Sequence, residues 1–593
     1  MNFFKQVLAT IVGLTIFQVI SLIMVFVFIG ALVASIDEID TAGSATTTID
    51  SNSLLVVKLN YDIQERNGFA AFDWSNMESF AKEKAGLQSL LEAIAFAKTD
   101  DRIRGIFMDL SVMPNGYATI DALRLALKDF KSSGKFILAY GETIDQKSYY
   151  LASVADKFYA NPEGYLQLTG IGSQLTFFRG LLEDKLDAEV QVFKVGNYKS
   201  AVEPFIQDSM STANREQTAF LLEGLKEDFL NHIAEERGMS PEAFNQILND
   251  LSALEPKSAV ELGLLDAVKY FDEVLDELKD LMEIDRSEDI ESLTINDYAM
   301  ATAETAKSAN KIAVIYAEGN IVDGEGDDTS IGGERFAKEI RKLRNDEDID
   351  AIVLRVNSPG GSALASEVMW RELDLAKAVK PVVVSMGELA ASGGYYIACN
   401  ADKIFAEENT ITGSIGVFAM IPNMQSFMNN KLGVTFDEVN LNDHATMNGI
   451  TGPFTNYEAQ VIQRSVDNIY ETFTTRVSEG RGMIMESVLE VAGGRVWTGE
   501  QALERGLVDE IGNLSDAIAY AASLANLDDY RLKEYPEMKS PFEQLFSEFG
   551  LEARQASLKE ALGPVYPYYE ELQQITLMNG RVQARLPMLI EIY

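Results

Sequence analysis

Cysteine and histidine are nearly missing from these 593 residues, and positive charge is in short supply. One cysteine, Cys399, excludes an intrachain disulfide and any metal site built from several thiolates. Two histidines, His232 and His444, almost empty the list of imidazole bases. No His/Cys/carboxylate cluster with ligand spacing occurs, so no metal is expected. No GxGxxG turn follows a strand-like run, so no nucleotide cofactor is expected either. Lysine and arginine number 50 against 91 acidic residues, a net charge of −41. Such a chain has little with which to neutralise phosphates, which argues against nucleic acid as a partner. The acid is spread over helix surfaces and reads as a solvated face. Otherwise the composition is globular, 47% hydrophobic and 24% charged, in a chain too long for one core.

Long uncharged runs are absent too, with one exception. From Val7 to Val33, "VLATIVGLTIFQVISLIMVFVFIGALV" holds 27 residues without a charge. As a helix it would span about 40 Å, enough for a bilayer core of about 30 Å. A cleaved leader has an apolar region of only about 7–15 residues, so the length favours a retained anchor. Lys5 precedes the run, and Asp37, Glu38 and Asp40 follow it. The positive-inside rule then puts the amino terminus in the cytoplasm and the body outside, as in a single-pass inner-membrane protein. Residues 1–36 read as the anchor and 37–53, a polar stretch, as a linker.

Beyond the linker, strand-like runs alternate with helical patterns, the signature of an α/β fold. The pattern occurs twice. At an offset of 246, Gly141-Glu142 pairs with Gly387-Glu388, Tyr149-Tyr150 with Tyr395-Tyr396, and Ala155-Asp156-Lys157 with Ala401-Asp402-Lys403. Nine of the twenty positions from 141 to 160 are identical to their partners. Residues 54–282 therefore read as one copy, 283–310 as a joint, 311–530 as a second copy, and 531–593 as an extension.

The copies differ where open α/β sheets place their sites, at the carboxyl ends of strands. In the second copy "AIVLRV" runs into "NSPGGSA", and "PVVVSM" runs into "GELAASGGYY". Each glycine-rich turn alone is ordinary turn chemistry. Together they put Ser392 at the start of a helix. The amides of Gly393 and of Gly361 (or Gly360) then converge as an oxyanion hole that side chains would obstruct. A serine nucleophile needs a base. His444 sits in a loop-like segment and His232 on an amphipathic helix, so both read as structural. A partly desolvated lysine, neutral when it accepts the proton, is the remaining candidate. In the first copy Gln146 and Lys147 replace Ser392 and Gly393. That copy instead carries "VGNYKSAVEPF", with Lys199 among apolar and small residues, while the matching "HATMNGITGPF" has no lysine. One half holds a serine without a lysine, the other a lysine without a serine. A site shared between the halves is expected.

Taken together, "NSPGG", "AASGGYYIA", "TGSIGVF" and "YKSAVEPF" resemble the signal peptide peptidase A (protease IV) family in its long form with two tandem copies. The resemblance covers residues from about 50 to 530. It implies tandem ClpP/crotonase-like domains behind one transmembrane helix. The implied activity is that of a membrane-anchored serine endopeptidase acting on hydrophobic segments such as released signal peptides. Ser392 matches the nucleophile, Lys199 the general base, and Ser414 a serine that orients the lysine. The family further implies a homotetramer, and no motif is recognised in residues 536–593. Two other readings remain open at this stage: a crotonase-type acyl-CoA enzyme, which also uses paired glycine amides, and a catalytically silent membrane scaffold.

Overall fold

Two runs that overlap at the offset of 246, "IRGIFMDL" and "AIVLRVNS", are mostly apolar, as strands covered on both faces tend to be. The computed structural model describes residues 48–69, 83–303, 308–538 and 582–586, with isolated positions at 558–559, 562–563, 566, 569 and 591–592. The expected membrane run from Val7 to Val33 lies outside the described residues. Among those described, no helix is long and apolar enough to cross a membrane.

The front half lays out β1 (Ser53–Val57), β2 (Ile103–Leu110), β3 (Phe136–Asp145) and β4 (Lys157–Gln167). β5 (Glu189–Lys194) leaves this layer, and β6 (Ala267–Val268) and β7 (Ser292–Thr294) return to it. The outcome is an all-parallel sheet in the order β7-β1-β2-β3-β4-β6. Parallel neighbours need crossovers, supplied by α1 (Tyr117–Lys131) between β2 and β3 and α2 (Gln146–Ala152) between β3 and β4. A long helix, α3 (Thr212–Arg237), follows β5.

The rear half repeats the plan. β8 (Lys311–Glu318) precedes two short strands, β9 (Asn320–Val322) and β10 (Ser330–Gly332), and helix α4 (Gly333–Asn345). Then come β11 (Ala351–Ser358), the short β12 (Gly360–Ser362), α5 (Ala363–Lys377), β13 (Val382–Ala391) and α6 (Gly393–Ala398). β14 (Lys403–Ala406), β15 (Ile411–Gly413) and β16 (Phe418–Asn423) follow. β17 (Val496–Trp497), β18 (Glu510–Ile511), α7 (Leu514–Leu524) and β19 (Arg531–Tyr535) complete this half. The offset of 246 carries α1 onto α5 and β3 onto β13 without slippage. The main rear sheet runs β17-β15-β13-β11-β8-β19, with β14 paired to β13 and β18. Alternate residues bury to opposite faces. Ile315, Leu354 and Val384 pack with Phe336 of α4 and Leu373 of α5, while Val314, Val353 and Val383 pack with Ile518 and Ala521 of α7.

Both sheets run past the boundaries read from the sequence. Within the stretch taken as a joint, 283–310, β7 pairs with β1, and Asn296 Oδ1 accepts from the Ala85 amide at 2.7 Å. At the start of the extension, β19 pairs in parallel with β8. These are edge strands, short or charged ("SLT", "RLKEY"), as edges that resist aggregation tend to be. They therefore lack the apolar signature that marks inner strands.

A third, smaller sheet joins the halves. Its order is β10-β9-β12-β20-β16-β5, where β20 is Gln583–Arg585. β5 comes from the front half and pairs antiparallel with β16 of the rear half, from Phe418↔Lys194 to Asn423↔Glu189. This pairing carries the segment after β5 into the rear half.

Candidate active site

Ser392 occupies the single residue between β13 and α6, with φ 55° and ψ −109°. A non-glycine residue held there is strained, and such strain persists only where the surroundings fix it. The Ser392 amide donates to the Gly413 carbonyl at 2.8 Å, and the Ser392 carbonyl accepts from Tyr396 at 2.8 Å. Its neighbours are small because backbone passes close by. A Cβ on Gly394 would lie 2.8 Å from the Ser358 carbonyl oxygen, and one on Gly393 would lie 2.8 Å from Ser366 Oγ.

Lys199 arrives from the front half on the loop after β5. The Val195 amide donates to the Val417 carbonyl at 3.2 Å, and that of Tyr198 to the Gly493 carbonyl at 3.1 Å. Both bonds stitch the incoming loop to the rear half. The lysine Nζ then lies 2.8 Å from Ser392 Oγ, 2.9 Å from Ser414 Oγ and 3.0 Å from the Ser414 carbonyl oxygen. Lys199, Ser392 and Ser414 are all fully buried. Burial alone pushes the Lys199 ammonium well below the ordinary lysine range, since desolvation disfavours the charged form. Ser414 is itself pinned, at φ 50°, by its amide donating to the Arg495 carbonyl at 2.7 Å.

The structure thus brings Ser392, Lys199 and Ser414 together. The glycines behave less uniformly. The Gly360 amide donates to Ser358 Oγ at 3.1 Å, so it is committed to the turn and not free for an oxyanion. Gly361, one residue on, lies in β12 beside the site, and Gly393 directly follows Ser392. The histidines stand apart from Ser392, whose Oγ contacts are Lys199 Nζ and, at 3.4 Å, the Gly416 carbonyl. His232 Nδ1 lies 2.6 Å from the Tyr150 hydroxyl. His444 has a carboxylate partner that its sequence context did not reveal, Glu458 at 2.9 Å, but its side chain is 43% exposed.

The front copy keeps one of these contacts but holds a glutamine where the rear copy has its serine. Gln146, at the position of Ser392, donates from Nε2 to the Gly170 carbonyl at 3.3 Å, the counterpart of the Gly416 carbonyl at the same offset. Its Oε1 accepts from the Gly170 amide at 2.8 Å. A neutral amide plugs the space where the rear half holds its hydroxyl.

Sequence reasoning missed the walls of the lysine channel, Gly416 and Gly494. A Cβ on Gly416 would lie 3.3 Å from Lys199 Cδ, and one on Gly494 would lie 2.6 Å from the Lys199 amide nitrogen. The glycine pair in "VAGGRVW" was the available signal. Among the described residues, no group of three or more His, Cys, Asp or Glu could hold a metal ion.

Comparison with known proteins identifies the family. The model of peptidase family S49 matches twice, at residues 129–285 and 374–528, one match in each half. Protease 4 of Salmonella typhi is 37% identical over 495 residues, covering 82% of this chain and 79% of that protein. Protease 4 of Haemophilus influenzae is 33% identical over 524 residues, 85% of each chain. The chloroplastic serine protease SPPA of Arabidopsis thaliana is 33% identical over 449 residues, 74% of this chain and 66% of that one. A ClpP1 mutant from Listeria monocytogenes aligns with 35% of this chain and 94% of its own at 16% identity and a TM-score of 0.24. With both halves matched and relatives similar over most of their length, the chain belongs to peptidase family S49, as a serine peptidase of the signal peptide peptidase A (protease IV) group.

Proposed function

We propose that Ser392 is the nucleophile and Lys199 the general base of a membrane-anchored endopeptidase that cuts hydrophobic peptides, such as released signal peptides, outside the cytoplasm. The observation that carries this reading is the buried Lys199 amine 2.8 Å from the Ser392 hydroxyl, with burial favouring its neutral form. Neutral Lys199 accepts the Ser392 proton as Oγ attacks a peptide carbonyl carbon. The Gly361 and Gly393 amides hold the oxyanion. Protonated Lys199 then gives its proton to the leaving amine; neutral again, it deprotonates the water that attacks the acyl group, and it returns that proton to Ser392 Oγ as the acyl–oxygen bond breaks. Ser414 holds the lysine between its hydroxyl and its own carbonyl.

Each half then reads as a ClpP/crotonase-like domain, and residues 1–36 as the single-pass anchor. The uncharged run from Val7 to Val33 and the charges flanking it support that topology. Homotetramer assembly is part of the same reading. Apolar side chains left in the open on one segment, Val439 at 90% and Leu441 at 92% exposure, favour association with further copies.

The test is hydrolysis of a hydrophobic reporter peptide together with labelling by a fluorophosphonate probe. Ser392→Ala and Lys199→Ala are each expected to abolish hydrolysis with the fold intact, and Ser392→Ala to abolish labelling. Full activity in either folded variant overturns the assignment. A wild-type protein that never takes the label overturns Ser392 as the nucleophile.

A further inference from the structure

A short rear-half run, "GGRVW" from Gly493 to Trp497, passes alongside all three groups of the site. The Gly493 carbonyl accepts from the amide of Tyr198, the residue before Lys199, at 3.1 Å. The Arg495 carbonyl accepts from the Ser414 amide at 2.7 Å. Val496 and Trp497 form β17 and pair with Gly413 and Thr412 of β15, and the Gly413 carbonyl in turn holds the Ser392 amide at 2.8 Å. Yet the run opens on two glycines at φ 69° and 88°, which bring no side chain to fix it. Arg495 is the first residue that can.

Its side chain crosses the seam of the halves. The guanidinium carbon lies 4.9 Å from the ring centre of Tyr198 and 5.3 Å from that of Phe220 on α3, both front-half residues. It lies 4.9 Å from the ring centre of Trp497 in its own half. Phe220 and Trp497 meet edge to face at 5.8 Å, and Arg505 covers the Trp497 ring at 4.1 Å. Glu216 stands 3.7 Å from Arg495 Nη2 but is 55% exposed, where an ion pair adds little. The buried Nε–H of Arg495 has no hydrogen-bond acceptor among the described residues, which leaves the ring faces to hold it. We propose that Arg495 is a positioning residue: stacked on Tyr198, it fixes the Lys199 loop of the front half against the rear-half run that holds Ser414 and Ser392. It acts through Tyr198 and through its own carbonyl, and it touches no reacting atom. An arginine suits this place because its charge is permanent and its plane stacks on rings, so it sets direction as well as distance. The proposal rests on the peptidase reading in taking Lys199 and Ser392 as the reacting pair.

The measurement is labelling of Ser392 in the full chain by a fluorophosphonate probe, followed to completion so that the rate constant and the final labelled fraction are read separately. Steady-state kinetics with a reporter peptide run beside it. Arg495→Met keeps the length of the side chain without the cation, and Tyr198→Ala removes the ring from the other side of the stack. Each is expected to lower the labelling rate constant and kcat by about tenfold or more, with KM and the final labelled fraction near wild type. Tyr198→Phe keeps the ring and loses only the hydroxyl bond to Glu216, 3.2 Å long in the native protein. Its rate constant is expected within about twofold of wild type. An unchanged rate constant in either Arg495→Met or Tyr198→Ala overturns the proposal. So does a fall in the labelled fraction alone, because a merely structural role removes active molecules without slowing the rest. Tyr198→Phe as slow as Tyr198→Ala also overturns it, by assigning the effect to the hydroxyl. A wild-type protein that takes no label overturns the peptidase reading and this proposal with it, whereas the other failures leave that reading standing.

Discussion

A Cβ on Gly494 would lie 2.7 Å from the Cβ of Lys199, closer than real side chains approach one another. Gly494 also sits at φ 88°, where an L side chain is strained. Gly494→Ala is therefore expected to displace the lysine and lower kcat at least tenfold while the protein stays folded. Steady-state kinetics with a reporter peptide, alongside circular dichroism, check this; an unchanged kcat contradicts it.

Removing the Ser414 hydroxyl takes away one of the three oxygens around the Lys199 amine. A hydrogen bond to a charged group contributes about 1.5–3 kcal/mol. Ser414→Ala is accordingly expected to lower kcat/KM by roughly ten- to a hundredfold, at about 1.4 kcal/mol per factor of ten, with kcat rather than KM carrying the loss.

The pH dependence follows from burial of Lys199. Its amine must be neutral to act, and desolvation lowers its pKa well below that of ordinary lysine. Peptide hydrolysis should rise with pH through a midpoint below the ordinary lysine value of about 10.4. Between that midpoint and the ordinary value the unfolded chain binds more protons than the folded one, so this group's contribution to stability grows as pH rises. Lys199→Met should remove that dependence. A rate that falls steadily from pH 7 to pH 9 in folded enzyme contradicts a lysine base.

Buried and half-buried carboxyls act in the opposite sense. Burial pushes Asp121 and Glu318 up to about 7 and Asp228 and Glu407 up to about 8. Their protonated forms favour the folded state, so their contribution is complete below the ordinary carboxylate range and is lost as pH climbs through about 7–8. Asp121 lies at the seam of the halves, accepting from the Tyr150 hydroxyl and from Asn409 Nδ2, each at 2.6 Å. Asp121→Asn should flatten the fall of Tm between about pH 5 and pH 8, a change that differential scanning calorimetry reads directly. An unaltered slope rules Asp121 out as a contributor.

Glu65 and Arg355 meet as a buried ion pair at 2.8 Å, although 290 residues separate them. Arg355 also donates to Ser385 Oγ at 2.7 Å and the Met386 carbonyl at 2.9 Å. Breaking such a pair strands a charge in the interior and costs about 3–5 kcal/mol. Glu65→Ala is expected to lower the unfolding free energy by about that amount, measured by denaturant titration. A change within about 0.5 kcal/mol, typical of surface sites, contradicts it.

Two things were fixed by the sequence alone. The tandem α/β plan was legible because inner parallel strands are buried on both faces and must be written as apolar runs, and the same runs recur at one offset. Ser392 and Lys199 stood out as candidates because each half lacks what the other keeps. Tertiary structure alone decided that the two groups touch, 193 residues apart, through the pairing of β5 with β16. It also decided that Gly360 turns its amide to Ser358, and that "QAR" at 583–585 pairs with β12. Strand pairing is made by backbone groups that every residue carries, so its partners leave no mark in the order of side chains.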